Sequence, residues 1–142
     1  MYSSTHQRWF RTTVVLGVVY LVINLAFGAF ASWSASNSMR VTWNRLAFLT
    51  SAVAFAGHIS HEHFRLGNTA RPTAWHTSLA VAFGAFGLAL VANIHDLRSA
   101  SGYRPRMLIA LVPWPVLTAV PAFIVALVVT AGLTLLPLNR RS

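Results

Sequence analysis

The chain has no cysteine, no lysine and only two acidic residues, Glu62 and Asp96. Without cysteine there are no disulfides, no thiolate metal sites and no thiol redox chemistry. Without lysine, every basic charge is an arginine, and eleven of them against two carboxylates give a formal charge of +9. Charged residues occupy only 9% of the 142 positions and hydrophobic ones 56%, a balance well outside soluble usage. The apolar runs also lack the charged faces that helices around a soluble core of this size need. No glycine-rich phosphate loop and no G-x-S-x-G elbow occurs, so the sequence offers no motif for nucleotide or serine-hydrolase chemistry. The arginines lie near segment ends and do not form a clustered basic face; they point to headgroup anchoring, and nucleic acid is not an expected partner.

What is present is a regular series of uncharged stretches, at 12–33, 46–61, 72–95 and 107–139, joined by short arginine-bearing loops. The expected fold is all-α: a polytopic integral membrane protein, one domain over 1–142, forming an antiparallel bundle of four transmembrane helices over 12–33, 44–64, 72–95 and 107–136. The expected partners are the lipid bilayer and further copies of the chain or other membrane subunits. Arginine in place of every lysine fits a GC-rich bacterial genome, which makes the bacterial inner (plasma) membrane the expected location.

The first run follows Arg8 and Arg11 and ends in Ala29-Phe30-Ala31, an A-x-A pattern, but it is long for a signal peptide and is expected to be a retained helix. Its small and polar residues Thr13, Gly17, Tyr20, Asn24, Gly28 and Ala31 recur every three or four positions and form a packing face, with Asn24 as interhelical glue. The Ser/Asn-rich stretch 34–44, bracketed by Trp33 and Trp43, is expected to be a loop. Residues 65–71 are few enough to force an antiparallel hairpin, and Pro72 suits the first turn of the third helix, where Ala80, Gly84 and Gly87 share a side with His76. The last run is longer than one crossing needs and holds Pro113, Pro115, Pro121 and Pro137, so it is expected to kink, with 107–115 in the interface. Six arginines fall on one side and five on the other, a balance that barely prefers cytoplasmic termini.

The residues that carry chemistry lie at 44–64. The apolar part, 46–57, is too short to cross about 30 Å of hydrocarbon, so the span is expected to borrow length from its polar end and to draw ionisable groups to the membrane boundary. His58, His61 and Glu62 stand at i, i+3 and i+4 on one helical face, while His63 points elsewhere. His76, a few residues into the next helix, reaches a similar depth. Three chemistries fit. His58 or His61 with His76 are candidate axial ligands of a b-type haem, and the expected cofactor-binding residues are therefore His58, His61 and His76. The set His58, His61, Glu62 and His76 offers three nitrogens and one oxygen to a divalent transition metal such as zinc, iron or copper. The same groups also suit a proton relay or ion-gating site in a small oligomeric channel or proton-coupled transporter. The leading expectation is a metal- or haem-bearing accessory subunit of a membrane complex. A plain helix cap, wetted and paired with Arg65 and Arg71 in a structural subunit, is the bland alternative. HEHFR is not H-E-x-x-H, because Arg65 stands where the second histidine belongs, so a zincin site is excluded. Tyr20, Thr130 and Thr134 are possible outer contributors, and His95-Asp96 reads as a helix end facing water.

Overall fold

The computed structural model describes residues 3–98, 106–109 and 111–135. The first helix, α1, runs Ser3–Trp33 and the second, α2, Asn37–Ser60; a π-helical turn, His61–Arg65, continues it. The helix α3 spans Ala70–Arg98, a single turn α4 covers Arg106–Ile109, and α5 runs Pro113–Leu135. Three of these helices are long and apolar enough to cross a membrane: α1 over Trp9–Trp33, α3 over Ala70–Arg98 and α5 over Pro113–Leu135. Their sequences, rich in valine in α1 and α5 and in alanine in α3, are helical for want of any other way to satisfy backbone hydrogen bonds away from water.

Two boundaries differ from the sequence reading. The helix α1 begins at Ser3, well before the first long apolar run. The stretch read as a loop, 34–44, is mostly the start of α2: Ser36 adopts an extended conformation and its hydroxyl accepts from the Met39 amide at 3.3 Å, so the polar residues are a cap and its first turns. Its extra length therefore comes from both ends, from Arg40 and Arg45 at the start and from His58 in the last turn, and α2, at 24 residues, is about 36 Å long and stops before His61. Those two arginines leave α2 less apolar than the other three long helices.

Helix α3 is the hub, packed against both α1 and α5, while α2 packs mainly along α1. The α1–α3 contact is made of glycine. A Cβ added at Gly84 would lie 3.0 Å from the Gly17 carbonyl oxygen and 2.9 Å from Tyr20 Cβ, and one at Gly87 would lie 2.9 Å from Leu21. Residues 17, 20 and 21 thus meet 80–87 in rising order, so α1 and α3 are parallel, and α2 returns alongside α1 between them. Asn24 donates to the Tyr20 carbonyl at 2.9 Å and to Ser51 Oγ on α2 at 3.4 Å, while Trp43 lies over Phe30, ring centroids 5.0 Å apart. Of the face expected on α1, Thr13, Gly17, Tyr20 and Ala31 are buried, but a Cβ on Gly28 would meet nothing within 4 Å.

The helices α2, α3 and α5 converge at Ile59, Ala74 and Ala126, with Trp75 edge-on to Phe123 beside them. Away from that end α2 and α5 diverge, leaving a cleft of about 570 Å³ with Tyr20, Asn24 and Ser51 on one wall and Trp114, Thr118 and Pro121 on the other. Pro121 lies inside α5, which continues through it; Pro113 and Pro115 occupy the first turn, where no amide is needed. Pro137 lies outside the described residues. Much apolar side-chain surface faces outward, including Val22, Phe48, Val53, Leu117, Ile124 and Val128, as expected for helices that meet lipid or another chain.

Candidate functional site

The site is built by the way α2 ends. At His61 the helix widens to a π turn, closed by the Leu66 amide bonding back to the His61 carbonyl at 3.3 Å. Gly67, at φ +64°, then turns the chain in the left-handed region that an L side chain enters only with strain. The Asn68 amide reaches the Glu62 carbonyl at 3.1 Å, which folds the Asn68 side chain over the last turn. Single π turns recur at functional sites, because the extra residue re-aims side chains that an α-helix keeps in line.

Glu62 is turned fully inward, with 0% of its surface exposed, and His58, one turn earlier, is 2% exposed. Both imidazoles address the carboxylate. His76 Nδ1 on α3 lies 2.9 Å from Glu62 Oε2, an oxygen that also accepts from Asn68 Nδ2. His58 Nε2 lies 3.7 Å from the other oxygen, Oε1, too far for a hydrogen bond. Oε1 and both ring nitrogens of His58 are buried without a hydrogen-bond partner. Trp9 covers His76 from α1, ring centroids 4.9 Å apart.

A bare carboxylate at this burial costs several kcal/mol and has to be paired. Arg65 and Arg71 are exposed, and the contacts around Glu62 come from the histidines and Asn68. Burial pushes the Glu62 carboxyl up, but contacts from His58, His76 and Asn68 outweigh it and hold the group down to about 2. Glu62 is therefore an anion at neutral pH.

The structure brings together His58, Glu62 and His76, and leaves His61 out. His61 is exposed and lines a groove of about 810 Å³ between α1 and α2, which His58 also lines. His61 stands about 100° round the helix from its neighbour Glu62, enough to carry its side chain away from the carboxylate. Among the described residues no group of three or more His, Cys, Asp or Glu side chains is arranged to hold a metal ion. His63 is half-buried, edge-on to Phe64, and His95 lies exposed at the opposite end of α3. Tyr20 lines the distant cleft, Thr130 is buried and bonded to its own helix, and Thr134 is exposed. Sequence reasoning gave neither Asn68 nor Trp9 a place at the site. Gly67-Asn68 directly after a helix is a C-cap signal, and it was enough to fold the asparagine back over the last turn. Nothing local to α1 announces that Trp9 lies over His76.

Comparison of the chain with protein-family models, with curated proteins and with solved structures finds no match.

Proposed function

We propose that this chain is a four-span membrane protein whose His58–Glu62–His76 triad takes up and passes a proton at one membrane face, as a small proton-coupled transporter or channel or as the proton-bearing subunit of a larger complex. In this reading α2 is the fourth span, since parallel α1 and α3 need a return crossing between them and 24 residues suffice for it. The observation that carries the reading is the placement of Glu62. It is a buried carboxylate with one oxygen bonded to His76 and the other facing a buried, unpartnered His58. Because His58 also lines the groove, it links that groove to the carboxylate: a proton taken up on the His58 ring has Oε1 as its nearest acceptor, and Oε2 already contacts the Nδ1 of His76. Partly polar groups at this depth are expensive unless they are used.

The expectation of a divalent metal or b-type haem on His58, His61, Glu62 and His76 has less behind it, since His61 lies outside the cluster while His58 Nε2 and His76 Nδ1 face Glu62. A bacterial inner membrane and a homo-oligomer remain part of the proposal, the latter favoured by the apolar surface left on α2 and α5.

The test is dissipation of a pH gradient in liposomes carrying the purified protein and a trapped pH-sensitive dye. Wild type is expected to collapse the gradient at least tenfold faster than empty vesicles, and Glu62→Gln and His58→Ala to abolish the difference. Equal rates for wild type and both variants would remove the proton reading. An optical spectrum and elemental analysis of the same preparation discriminate the cofactor reading, which requires a Soret band or one metal per chain that disappears in His58→Ala.

A further inference from the structure

We infer that the groove between α1 and α2 holds one anionic phospholipid, its phosphate at the rim and one acyl chain along the floor. The inference rests on this end of both helices lying in the membrane, and it is independent of whether the triad handles protons.

The two helices touch at Asn24–Ser51 and at Phe30–Trp43, and they separate toward the end that holds the triad, where the groove of about 810 Å³ opens. Its lining is divided by depth. The floor is formed by Val15, Leu16, Ala54 and Gly57, and a Cβ on Gly57 would meet nothing within 4 Å, so there is room on that wall. The rim carries Arg11, His61 and Asn68. From Trp9 to Leu16 the groove runs about 10 Å at the helical rise per residue, room for the upper part of an acyl chain.

Two residues that line this space carry buried polar atoms without a hydrogen-bond partner among the described residues: Trp9 at Nε1, an obligate donor, and His58, itself 2% exposed, at Nδ1, its Nε2 being turned to Glu62. An unsatisfied buried donor is costly, and an outside acceptor recovers the loss. The charge on offer selects an anion: Arg11 is a free-standing guanidinium at the rim, no acidic residue lines the groove, and Glu62 behind it is already engaged by His76 and Asn68. Guanidinium and indole N–H groups are suited to phosphate oxygens, and basic pockets between membrane helices bind anionic headgroups on this principle. The apolar floor below the rim is what separates a lipid from a free anion.

The experiment is native mass spectrometry of detergent-purified protein equilibrated with equimolar phosphatidylglycerol and phosphatidylcholine. One phosphatidylglycerol per chain is expected to survive, with at least tenfold preference over phosphatidylcholine, and millimolar inorganic phosphate is expected not to displace it. Arg11→Gln, at an exposed position, is expected to remove the preference, and Gly57→Leu, which fills the floor, to lower retention of both lipids. Equal retention of the two lipids by wild type, or retention of phosphatidylglycerol unchanged in both variants, overturns the proposal. Displacement by phosphate alone overturns the lipid assignment. Alkaline carbonate extraction is run in parallel: protein released from membranes overturns the membrane reading itself, whereas protein that stays embedded but shows no lipid preference defeats only this inference.

Discussion

Glutamine at position 62 keeps the shape of the side chain and removes its charge, standing in for the protonated acid. The folded protein holds the Glu62 carboxyl at about 2, against an ordinary 4.5, because the contacts from His58, His76 and Asn68 favour the anion more than burial disfavours it. At about 1.4 kcal/mol for each tenfold change in proton affinity, that difference is worth about 3 kcal/mol of folding stability. The sign follows from which state binds the proton more tightly. The unfolded chain does, so the stabilisation is complete above pH 4.5 and is lost as the pH falls from there towards 2. Wild type is therefore expected to exceed Glu62→Gln by about 3 kcal/mol at pH 7, and the gap is expected to close near pH 2. The assay is reversible unfolding in mixed micelles, followed by far-ultraviolet circular dichroism as denaturing detergent is added, for both proteins at pH 7, 5, 4 and 3. A gap that stays constant between pH 5 and 3 would refute the argument, since it would mean that Glu62 does not gain its anion's stability from these partners. A variant more stable than wild type at pH 7 would refute it from the other side, by showing that the desolvation penalty prevails.

Three further outcomes follow from the packing. Gly84→Ala is expected to cost about 1–3 kcal/mol in the same unfolding assay, because its Cβ would lie 3.0 Å from a backbone oxygen of α1, whereas Gly132→Ala, with nothing within 4 Å, should be neutral or slightly stabilising. Trp9→Leu strips the indole from His76, and modification of His76 by diethylpyrocarbonate, read by peptide mass, is expected to accelerate severalfold; an unchanged rate would show that Trp9 does not shield it. His76→Ala is expected to speed amide exchange at 57–66 while leaving α1 and α3 protected along their glycine contact; uniform acceleration would indicate global destabilisation instead.

The helical class and the position of the hairpin at 65–71 were legible because they depend on composition and on the period of apolar residues. The packing face of α1 was legible for the same reason: Gly17, Tyr20 and Ala31 recur at helical spacing and are buried. What failed was polarity taken as a proxy for loop. Ser36, Asn37 and Ser38 are polar because a helix begins there, and the serine that satisfies the first amides is the same kind of residue that marks a turn. The triad was legible in part. His58 and Glu62 share a face in any helix, and the short hairpin placed His76 near them, but His61 lies about 100° from Glu62 round the helix and faces the groove. Asn68 joins the site only through the way Gly67 turns the chain, and no pattern over 58–62 alone encodes that closure.

The contacts of α2 give the triad a mechanical setting. Along most of its length α2 leans on α1, through Ser51 and Trp43, and it touches α3 chiefly at its own end. There the links to α3 are the Ile59–Ala74 packing and the bond from His76 to Glu62, with Asn68 fastening the π turn from behind. By contrast, α1 and α3 are joined at glycine distance and have little freedom to shift. A change of charge on the triad therefore acts on an end of α2 held to α3 by few contacts, and that same end forms one wall of the groove. Loss of the Glu62–His76 bond loosens α2 from α3 without disturbing the α1–α3 pair. On the proton reading proposed above, charge at the site and width of the groove are coupled through a single helix, and that coupling would offset the desolvation of a polar cluster at one end of an otherwise apolar bundle.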